Sequence, residues 1–319
     1  MDRMTSANTS INPQTNPIDD YLASFVQNLE LRGRAKVSVN TVRLTVRRYI
    51  LWANQEGIDA PKGSEEDLLS YLGHLRAKGL RKITLARNFS YLSVWFAYLV
   101  KTGQLLQNPI PEIQNEYLKD FKREVRRRQL ISVPEAAKMV ASTVETRNRA
   151  ILVLLFKTGI RRNELVTLDI DDVDLEEQVV TLKPTGKRSN RTVFFDDEAE
   201  RALVRWLKSR ELRNKKNQTA LFLSNEGLRL GGGGVDNAVR EAAIRISLHD
   251  QNSDRLEDKF TPHCCRYWFT TYLRRAGMAR EFIQELRGDV RREAIDIYDI
   301  IDQKELRESY LAHIPRLGI

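Results

Sequence analysis

The sequence predicts a mainly α-helical protein with two domains, a helical N-terminal domain followed by a mixed α+β domain with a small antiparallel sheet. Apolar residues recur at three- and four-residue spacing from residue 18 to about residue 100, which is typical of amphipathic helices. Two prolines between residues 108 and 111 interrupt this pattern, and β-rich runs occur only after Pro134. A chain of 319 residues is long enough to give each domain its own core.

The N-terminal helical domain is assigned to residues 17–110. Its periodic segments predict about four helices, broken by glycines between residues 57 and 63, at Gly79 and at Gly103. Residues 1–16 are polar and lack an apolar segment. We therefore expect them to form a disordered tail rather than a signal peptide or a membrane anchor.

A basic segment assigned to residues 111–130 is expected to link this domain to the second one, residues 131–319. Arg126, Arg127 and Arg128 lie near the end of this segment, with few acidic residues around them. The segment can be the solvated face of a charged helix, or a connector that lies along a phosphate backbone. In the second interpretation these three arginines are the predicted DNA contacts.

The second domain combines buried helices with short strands. Residues 150–156 are apolar on all sides and predict a buried helix that ends at Gly159. The runs 178–182 and 191–195 predict a β-hairpin, and residues 220–223 predict a third short strand. Further helices are expected over residues 196–210, 235–246, 266–276, 280–287 and 291–298.

The composition favours an anionic partner and argues against metal or nucleotide cofactors. The net charge of +9 and the pI of about 9.5 favour a nucleic acid as partner. The adjacent Cys264 and Cys265 cannot build a disulfide framework or a metal-ligand set. The four glycines at residues 231–234 predict a hinge, since no phosphate-binding motif surrounds them. No run of about 18 apolar residues occurs, so we expect a cytoplasmic protein without membrane contact.

Three short motifs in the second domain contain the residue types of a phosphotransfer site. The first places Arg161 just after the buried helix, the second contains His263 and Arg266, and the third contains Tyr298. His263 and Arg266 are three residues apart and therefore share one face of a helix. Guanidinium groups form paired hydrogen bonds with phosphate oxygens, and a tyrosine hydroxyl can attack a phosphodiester to form a covalent intermediate.

The order of these motifs resembles the catalytic domain of the tyrosine recombinases, which include the phage integrases and the Xer-type site-specific recombinases. The matching pieces are Gly-Ile-Arg-Arg-Asn-Glu-Leu, a lysine-bearing hairpin, His-Cys-Cys-Arg and Ile-Tyr. The N-terminal helices resemble the SAM-like core-binding domain of that family, and the likeness extends over about residues 18–310. This resemblance implies site-specific recombination of double-stranded DNA by a homotetramer, through a 3′-phosphotyrosyl intermediate and without a cofactor.

The resemblance also assigns roles to individual residues. It implies that Tyr298 is the nucleophile, that Arg161 and Arg266 are the two catalytic arginines, and that His263 aids proton transfer or orients the phosphate. A second tyrosine, Tyr310, lies too far beyond the preceding turn to fit the position of the nucleophile.

The roles of the remaining polar residues are less closely defined. Glu164 is expected to orient the first catalytic arginine from behind. The family has a lysine in the hairpin turn that protonates the departing 5′ oxygen, for which Lys187 is the first choice and Lys183 the alternative. Arg188 and Arg191 are expected to bind phosphate or to remain in solvent.

Asp289 departs from the family pattern. The family usually has a histidine, sometimes a tryptophan, nine residues before the nucleophile, whereas this chain has a carboxylate there. A carboxylate near phosphate repels it unless it is protonated or paired, and Arg287, Arg291 and Arg292 are close enough in sequence to pair with it. Either one of these arginines replaces the missing donor, or the enzyme is slower than its relatives.

Two other functions use related features. A type IB topoisomerase-like enzyme shares the chemistry but acts alone, and a DNA-binding protein could retain the fold with weakened catalysis. The C-terminal residues 301–319 form an amphipathic run. This run can dock on a neighbouring protomer, as strand exchange requires, or pack on its own domain.

Overall fold

The computed structural model describes residues 17–119, 128–184, 191–253, 255–289 and 301–319. The chain divides into two compact units, one before and one after residue 125. Each unit has its own hydrophobic core. Within the described ranges, every helix is too short or too polar to cross a membrane.

The first unit is helical, as the sequence predicts. Tyr49, Trp52, Tyr71, Trp95 and Phe96 form an aromatic cluster in its core, with the rings of Tyr49 and Tyr71 edge to face at 5.1 Å. Its described helices are α1 (Pro17–Leu31), α2 (Lys36–Gln55), α3 (Glu65–Ala77), α4 (Lys82–Lys101) and α5 (Ile110–Tyr117).

Helix α5 begins where the sequence suggested that the domain ends. Pro109 is its N-cap and Pro111 lies in its first turn, where a missing backbone N–H costs no hydrogen bond. Ile110, Ile113 and Leu118 are buried in the core of the first unit. The predicted linker starts at residue 111, whereas the structure includes residues 110–118 in this core.

The second unit contains eight described helices and a small sheet. The strands are β1 (Val173–Asp174), β2 (Val179–Leu182) and β3 (Arg191–Phe194). The helices are α6 (Val133–Ala141), α7 (Thr146–Thr158), α8 (Arg162–Thr167), α9 (Asp197–Arg213), α10 (Gly232–Arg245), α11 (Pro262–Ala276), α12 (Arg280–Arg287) and α13 (Gln303–His313).

The sheet is antiparallel with the order β1-β2-β3. Val180 pairs with Val193 and Leu182 with Arg191, so the predicted hairpin is confirmed. The third strand was predicted at residues 220–223, but β1 takes that place in the sheet. Residues 220–223 instead form isolated bridges with loop residues elsewhere in the unit, because neighbours outside the sheet satisfy their backbone groups.

Helix α7 is the centre of the second unit and lies directly before the first arginine motif. Residues 150–158 are all buried, and the helix ends at Gly159, whose φ of +58° suits glycine. A Cβ atom at this position would lie 2.4 Å from Cδ1 of Phe269, so glycine also permits close packing against α11. The described helices α9, α10 and α11 all pack against α7.

The structure corrects the sequence expectation for the glycines at residues 231–234, and it shows where the C-terminal segment packs in the single chain. The glycines at residues 231–234 do not form a hinge, since Gly231 is the N-cap of α10 and the next three residues form its first turn. The C-terminal segment packs on its own unit, where Tyr310 donates a hydrogen bond of 2.8 Å to the Lys157 carbonyl. The buried Lys157 ammonium contacts Asp196 and Glu198, each at 2.6 Å.

Candidate active site

Arg161 is the N-cap of α8, three residues after the last residue of α7. Its backbone N–H donates to Glu164 Oε2 at 2.7 Å, and its Nη1 donates to Glu164 Oε1 at 3.2 Å. Glu164 is only 3% exposed, so the partner of Arg161 is a fixed group. The motif therefore places a partly exposed guanidinium on a rigid helix end, as expected for a residue that binds substrate.

Arg266 approaches the same place from the first turns of α11. Pro262 occupies the N1 position of this helix, which suits proline because N1 needs no N–H donor. The Arg266 side chain is 3% exposed, and its Nη1 donates to the Gly159 carbonyl at 2.7 Å. Burial, followed by the charges of Arg161 and Arg287, lowers the pKa of Arg266 to about 9. At neutral pH the guanidinium therefore still carries its charge.

The C-terminal end of α12 joins the two arginines. The carbonyl oxygen of Arg287 accepts a hydrogen bond from Arg161 Nη1 at 3.0 Å and another from Arg266 Nη2 at 2.7 Å. Helix ends leave such carbonyls without partners inside the helix. Two cations separated by more than 100 residues in sequence are thus fixed on one backbone oxygen.

A cavity of about 250 Å³ opens beside the two guanidiniums. His263 lies at its edge, exposed, in the first turn of α11. Desolvation, followed by the charges of Arg128 and Arg266, lowers the pKa of His263 below its ordinary value. The imidazole is therefore neutral at pH 7 and can accept a proton. The cavity lining consists of Ile160, Arg161, Arg162, Asn163, Pro262, His263 and Arg266.

The two arginines and the histidine that the sequence singled out thus meet at one cavity. Two guanidiniums can hold the non-bridging oxygens of one phosphate, and a neutral imidazole can accept a proton beside it. The arrangement suits phosphoryl transfer. The residues that the structure describes contain no group of side chains that could hold a metal ion.

Arg191 is not the solvated side chain that the sequence allowed, because it is buried in an ion pair with Glu164, and its contact with phosphate stays a prediction. Its Nη1 and Nη2 donate to the two carboxylate oxygens of Glu164, each at 3.0 Å, and its Nε donates to the Leu286 carbonyl at 3.3 Å. The side chain is 8% exposed. Burial raises the pKa of Glu164, but the hydrogen bonds from Arg191 and from the Arg161 backbone outweigh this effect and lower it.

Asp289 contacts the arginines of the site itself. Its Oδ1 lies 3.3 Å from Arg161 Nη2 and 3.5 Å from Arg266 Nη2. Its Oδ2 lies 3.0 Å from Arg287 Nε, a distance typical of an ion pair, although the N–H is not aligned for a hydrogen bond. Arg287 is one of the partners that the sequence suggested. Arg291 and Arg292 lie outside the described residues.

Lys183, the alternative hairpin lysine, forms ion pairs with two aspartates. Its ammonium forms ion pairs with Asp169 and with Asp172, the second at 3.1 Å. The hydrogen bond to Asp169 is the main cause that raises the pKa of Lys183. A general acid needs a pKa near the working pH, so this environment disfavours Lys183 in that role, and Lys187 stays the predicted lysine.

Several candidate residues lie outside the described part of the chain, namely the nucleophile candidate Tyr298, the first-choice lysine Lys187, and Arg126, Arg127 and Arg188. Arg128, the last of the linker arginines, is described. It is partly buried, and its Nη1 donates to Thr261 Oγ1 at 3.2 Å, directly before the second motif. A contact between Arg128 and DNA therefore stays a prediction.

The sequence analysis did not identify the backbone acceptors of the site. The carbonyls of Gly159 and Arg287 hold the Arg266 guanidinium, and the second also holds Arg161. A sequence signal was available, because helices that end in a left-handed glycine leave carbonyls available to side chains. Gly159 and Gly288 both have that conformation.

Comparison with known proteins defines the class. Residues 123–305 match the sequence profile of the phage integrase family, and residues 22–103 match the profile of the phage integrase N-terminal SAM-like domain. Because the first match spans more than half of the chain, this protein belongs to the phage integrase family, and its class is that of the tyrosine-type site-specific recombinases.

Curated relatives share this class. The tyrosine recombinase XerC of Thermodesulfovibrio yellowstonii is 28% identical over 302 residues, which cover 91% of this chain and 94% of the relative. The XerC of Pelotomaculum thermopropionicum is 30% identical over 257 residues, which cover 77% of this chain and 79% of the relative. The predicted function is confirmed at this level, and the topoisomerase-like and DNA-binding alternatives are not favoured.

Solved structures share the fold. The Tn1549 transposon integrase in complex with transposon right end DNA is similar with a TM-score of 0.65 at 19% identity, covering 91% of this chain and 97% of that one. A lambda integrase dimer bound to a COC′ core site gives a TM-score of 0.64 at 17% identity, covering 89% of this chain and 97% of that one. The predicted fold, a SAM-like domain with a catalytic domain, is confirmed.

Proposed function

We propose that this recombinase cleaves and rejoins double-stranded DNA with Tyr298 as nucleophile, Arg161 and Arg266 as phosphate clamp and His263 as proton acceptor. The observation that carries the proposal is that these arginines and the histidine, from motifs about 100 residues apart, line one cavity of about 250 Å³. The cavity is large enough for a phosphate group, and its cationic lining suits an anion.

The proposed first step is a displacement at phosphorus. The phenol oxygen of Tyr298 attacks the scissile phosphate, a new P–O bond forms, and the bond to the 5′ oxygen breaks. The phenol proton passes to the neutral imidazole of His263, and Lys187 gives a proton to the departing 5′ oxygen. A 5′ hydroxyl from the partner duplex then attacks the phosphotyrosine and restores the phosphodiester.

The guanidiniums of Arg161 and Arg266 act through charge. Negative charge grows on the non-bridging oxygens in the transition state. Arg161 is already fixed by Glu164 and the Arg287 carbonyl, and Arg266 by the carbonyls of Arg287 and Gly159. Donors that are fixed before the reaction need no reorganisation during it. This preorganisation is the proposed role of the carbonyl and carboxylate groups around the arginines.

We further propose that double-stranded DNA is the partner and that strand exchange uses four protomers. The net charge of +9, together with Arg126, Arg127, Arg128 and Arg188, supports a broad contact with phosphate groups. Binding of this kind weakens steeply as salt concentration rises. We also propose that the protein acts in the cytoplasm, where bacteria such as those of the XerC relatives hold their DNA.

Covalent trapping tests the proposed function without knowledge of the target site. The protein is incubated with sheared DNA of its host, denatured with detergent, and the DNA fragments that stay linked to protein are sequenced. We expect recovery of fragments from one sequence, joined through their 3′ ends. That sequence then provides a nicked suicide duplex, from which the short segment that carries the freed 5′ hydroxyl diffuses away, so that the covalent complex accumulates.

Two tyrosine variants form a matched pair for this assay. Tyr298→Phe should lose the covalent complex, whereas Tyr310→Phe should retain it, because the Tyr310 hydroxyl is buried and donates to the Lys157 carbonyl at 2.8 Å. A covalent band that persists in Tyr298→Phe would assign the nucleophile to another residue. The absence of any covalent complex with the parent protein would contradict the proposed reaction.

A further inference from the structure

We infer that Asp289 is a positioning residue that holds the guanidiniums of Arg161 and Arg266 from the end of α12, and that it does not contact the scissile phosphate. This inference rests on the proposed function. At this position, related enzymes usually have a side chain that donates a hydrogen bond to the phosphate. We assign Asp289 a different role, which is to position the two arginines.

The first step of the argument is the charge around Asp289. Arg161, Arg266 and Arg287 approach its carboxylate at 3.3, 3.5 and 3.0 Å. Three cations so close together repel one another. The Asp289 carboxylate contacts all three and offsets this repulsion in the protein without DNA, in addition to Glu164, which also pairs with Arg161.

The second step is the side from which the carboxylate acts. Among the described residues, the cavity lining includes Arg161 and Arg266 but not Asp289. The same Nη2 atom of Arg266 that contacts Asp289 also donates to the Arg287 carbonyl at 2.7 Å. This edge of the guanidinium therefore faces the end of α12, and Asp289 approaches the arginine pair from that end.

The third step is that the position of Asp289 is fixed by the backbone. Its N–H donates to the Gln284 carbonyl at 3.1 Å, which closes the end of α12. The preceding Gly288 has a φ of +59°, and a Cβ atom there would lie 2.5 Å from Arg191 Nη1. Tight packing against the buried Arg191 thus sets the place from which the carboxylate acts.

The chemistry of the side chain agrees with this role. A carboxylate can only accept hydrogen bonds, so it cannot donate to a phosphate oxygen as an imidazole or indole can. It can, however, accept from two guanidiniums at once. The loss of Asp289 should therefore reduce cleavage through misplaced arginines, and this effect should disappear when one of those arginines is already impaired.

Single-turnover cleavage of the nicked suicide duplex tests this inference. Asp289→Asn keeps the shape of the side chain but removes its charge, and we expect cleavage to slow by about 10- to 100-fold, the range that misplacement of a catalytic group produces. DNA affinity should change less than about threefold, because many phosphate contacts supply it. Asp289→Glu should recover part of the rate, and Asp289→His should be at least as slow as Asp289→Asn.

A double-mutant cycle identifies the route of the effect. In an Arg266→Lys background, which lacks the paired donors of the guanidinium, Asp289→Asn should cost less than about threefold, since the two changes impair one unit. Glu177→Gln is the control for loss of a carboxylate, because Glu177 pairs with Arg307 at 3.3 Å on the exposed surface. Thermal unfolding of each variant reports whether it is folded.

Three results would overturn the inference. Faster cleavage by Asp289→His or Asp289→Asn would mean that the carboxylate repels the phosphate directly. An unchanged cleavage rate in Asp289→Asn would show that the carboxylate does not position the arginines. Full additivity of the rate effects of Asp289→Asn and Arg266→Lys would show that Asp289 does not act through Arg266. Failure of the parent protein to cleave any duplex would instead contradict the proposed function, so the two failures are distinguishable.

Discussion

Arg191 and Glu164 form a two-pronged ion pair behind the active site, with Nη1 to Oε1 and Nη2 to Oε2 both at 3.0 Å. Both side chains are largely buried, at 8% and 3% exposed. Removal of Arg191 takes two charge-assisted hydrogen bonds from the buried Glu164 carboxylate, which keeps those from Arg161. We expect Arg191→Ala to lower the free energy of unfolding by about 1.5–3 kcal/mol, measured by urea denaturation.

The exposed pair of Arg307 and Glu177 provides the control for this prediction. Arg307→Ala removes the same type of side chain from a solvated ion pair and should cost less than about 1 kcal/mol. If Arg191→Ala lowers the free energy of unfolding by a similarly small amount and also weakens DNA binding, Arg191 contacts DNA, as the sequence suggested.

The catalytic arginines should separate cleavage from binding. Arg161→Ala and Arg266→Lys should each slow single-turnover cleavage by about 10²- to 10³-fold, the usual cost of one charge-stabilising donor. DNA affinity, measured by fluorescence anisotropy, should change only slightly. Arg201→Ala is the control, since Arg201 pairs with Asp197 on the surface. Parallel loss of affinity and rate would indicate that the arginines serve binding rather than the reaction.

His263 should titrate below its ordinary pKa in the DNA-free protein. Desolvation lowers the pKa first, and the positive charge of Arg128 contributes next. We therefore expect an NMR titration midpoint below 6.5 for the His263 ring, assigned with His263→Gln. Arg128→Ala should raise this midpoint. An unchanged midpoint in that variant would show that Arg128 lies too far away to act on the imidazole.

Glu198 should stabilise the C-terminal segment in a pH-dependent manner. Its carboxylate accepts backbone hydrogen bonds from Leu317, Gly318 and Ile319 at 2.8, 2.6 and 3.2 Å, and contacts Lys157. Burial raises the pKa of Glu198, but these hydrogen bonds and the Lys157 charge outweigh it and lower the pKa below 4.5. We expect Glu198→Gln to lower the free energy of unfolding by about 1.5–3 kcal/mol at pH 7.

The sign of the pH effect follows from that lowered pKa. The unfolded chain takes up the Glu198 proton at a higher pH than the folded protein does, so this stabilisation is complete above pH 4.5 and is lost as the pH falls through the folded pKa. The difference between the melting temperatures of the parent protein and Glu198→Gln should therefore narrow below pH 4.5. If the difference between the two melting temperatures stays constant from pH 3 to pH 7, the ionisation of Glu198 does not cause it.

Local features of the chain were predictable because they depend on near neighbours. The buried helix that ends at Gly159, the pairing of β2 with β3, and the α11 face shared by His263 and Arg266 all follow from spacing and turn chemistry over a few residues. The order of the motifs, together with the family resemblance, was sufficient to predict the class of enzyme.

The sequence by itself determined the class of enzyme and indicated the two arginines and the histidine that line one cavity, and the tertiary structure decided how the charges around them are paired. Arg191 is 27 residues from Glu164, and Asp289 is 128 residues from Arg161, so no local pattern could indicate either contact. The ion pairs of Lys183 with Asp169 and Asp172, which disfavour it as the general acid, were likewise visible only in the tertiary structure. A buried charge must take its partner from whatever side chains the packed elements bring within about 4 Å, and that choice is made only when the domain folds.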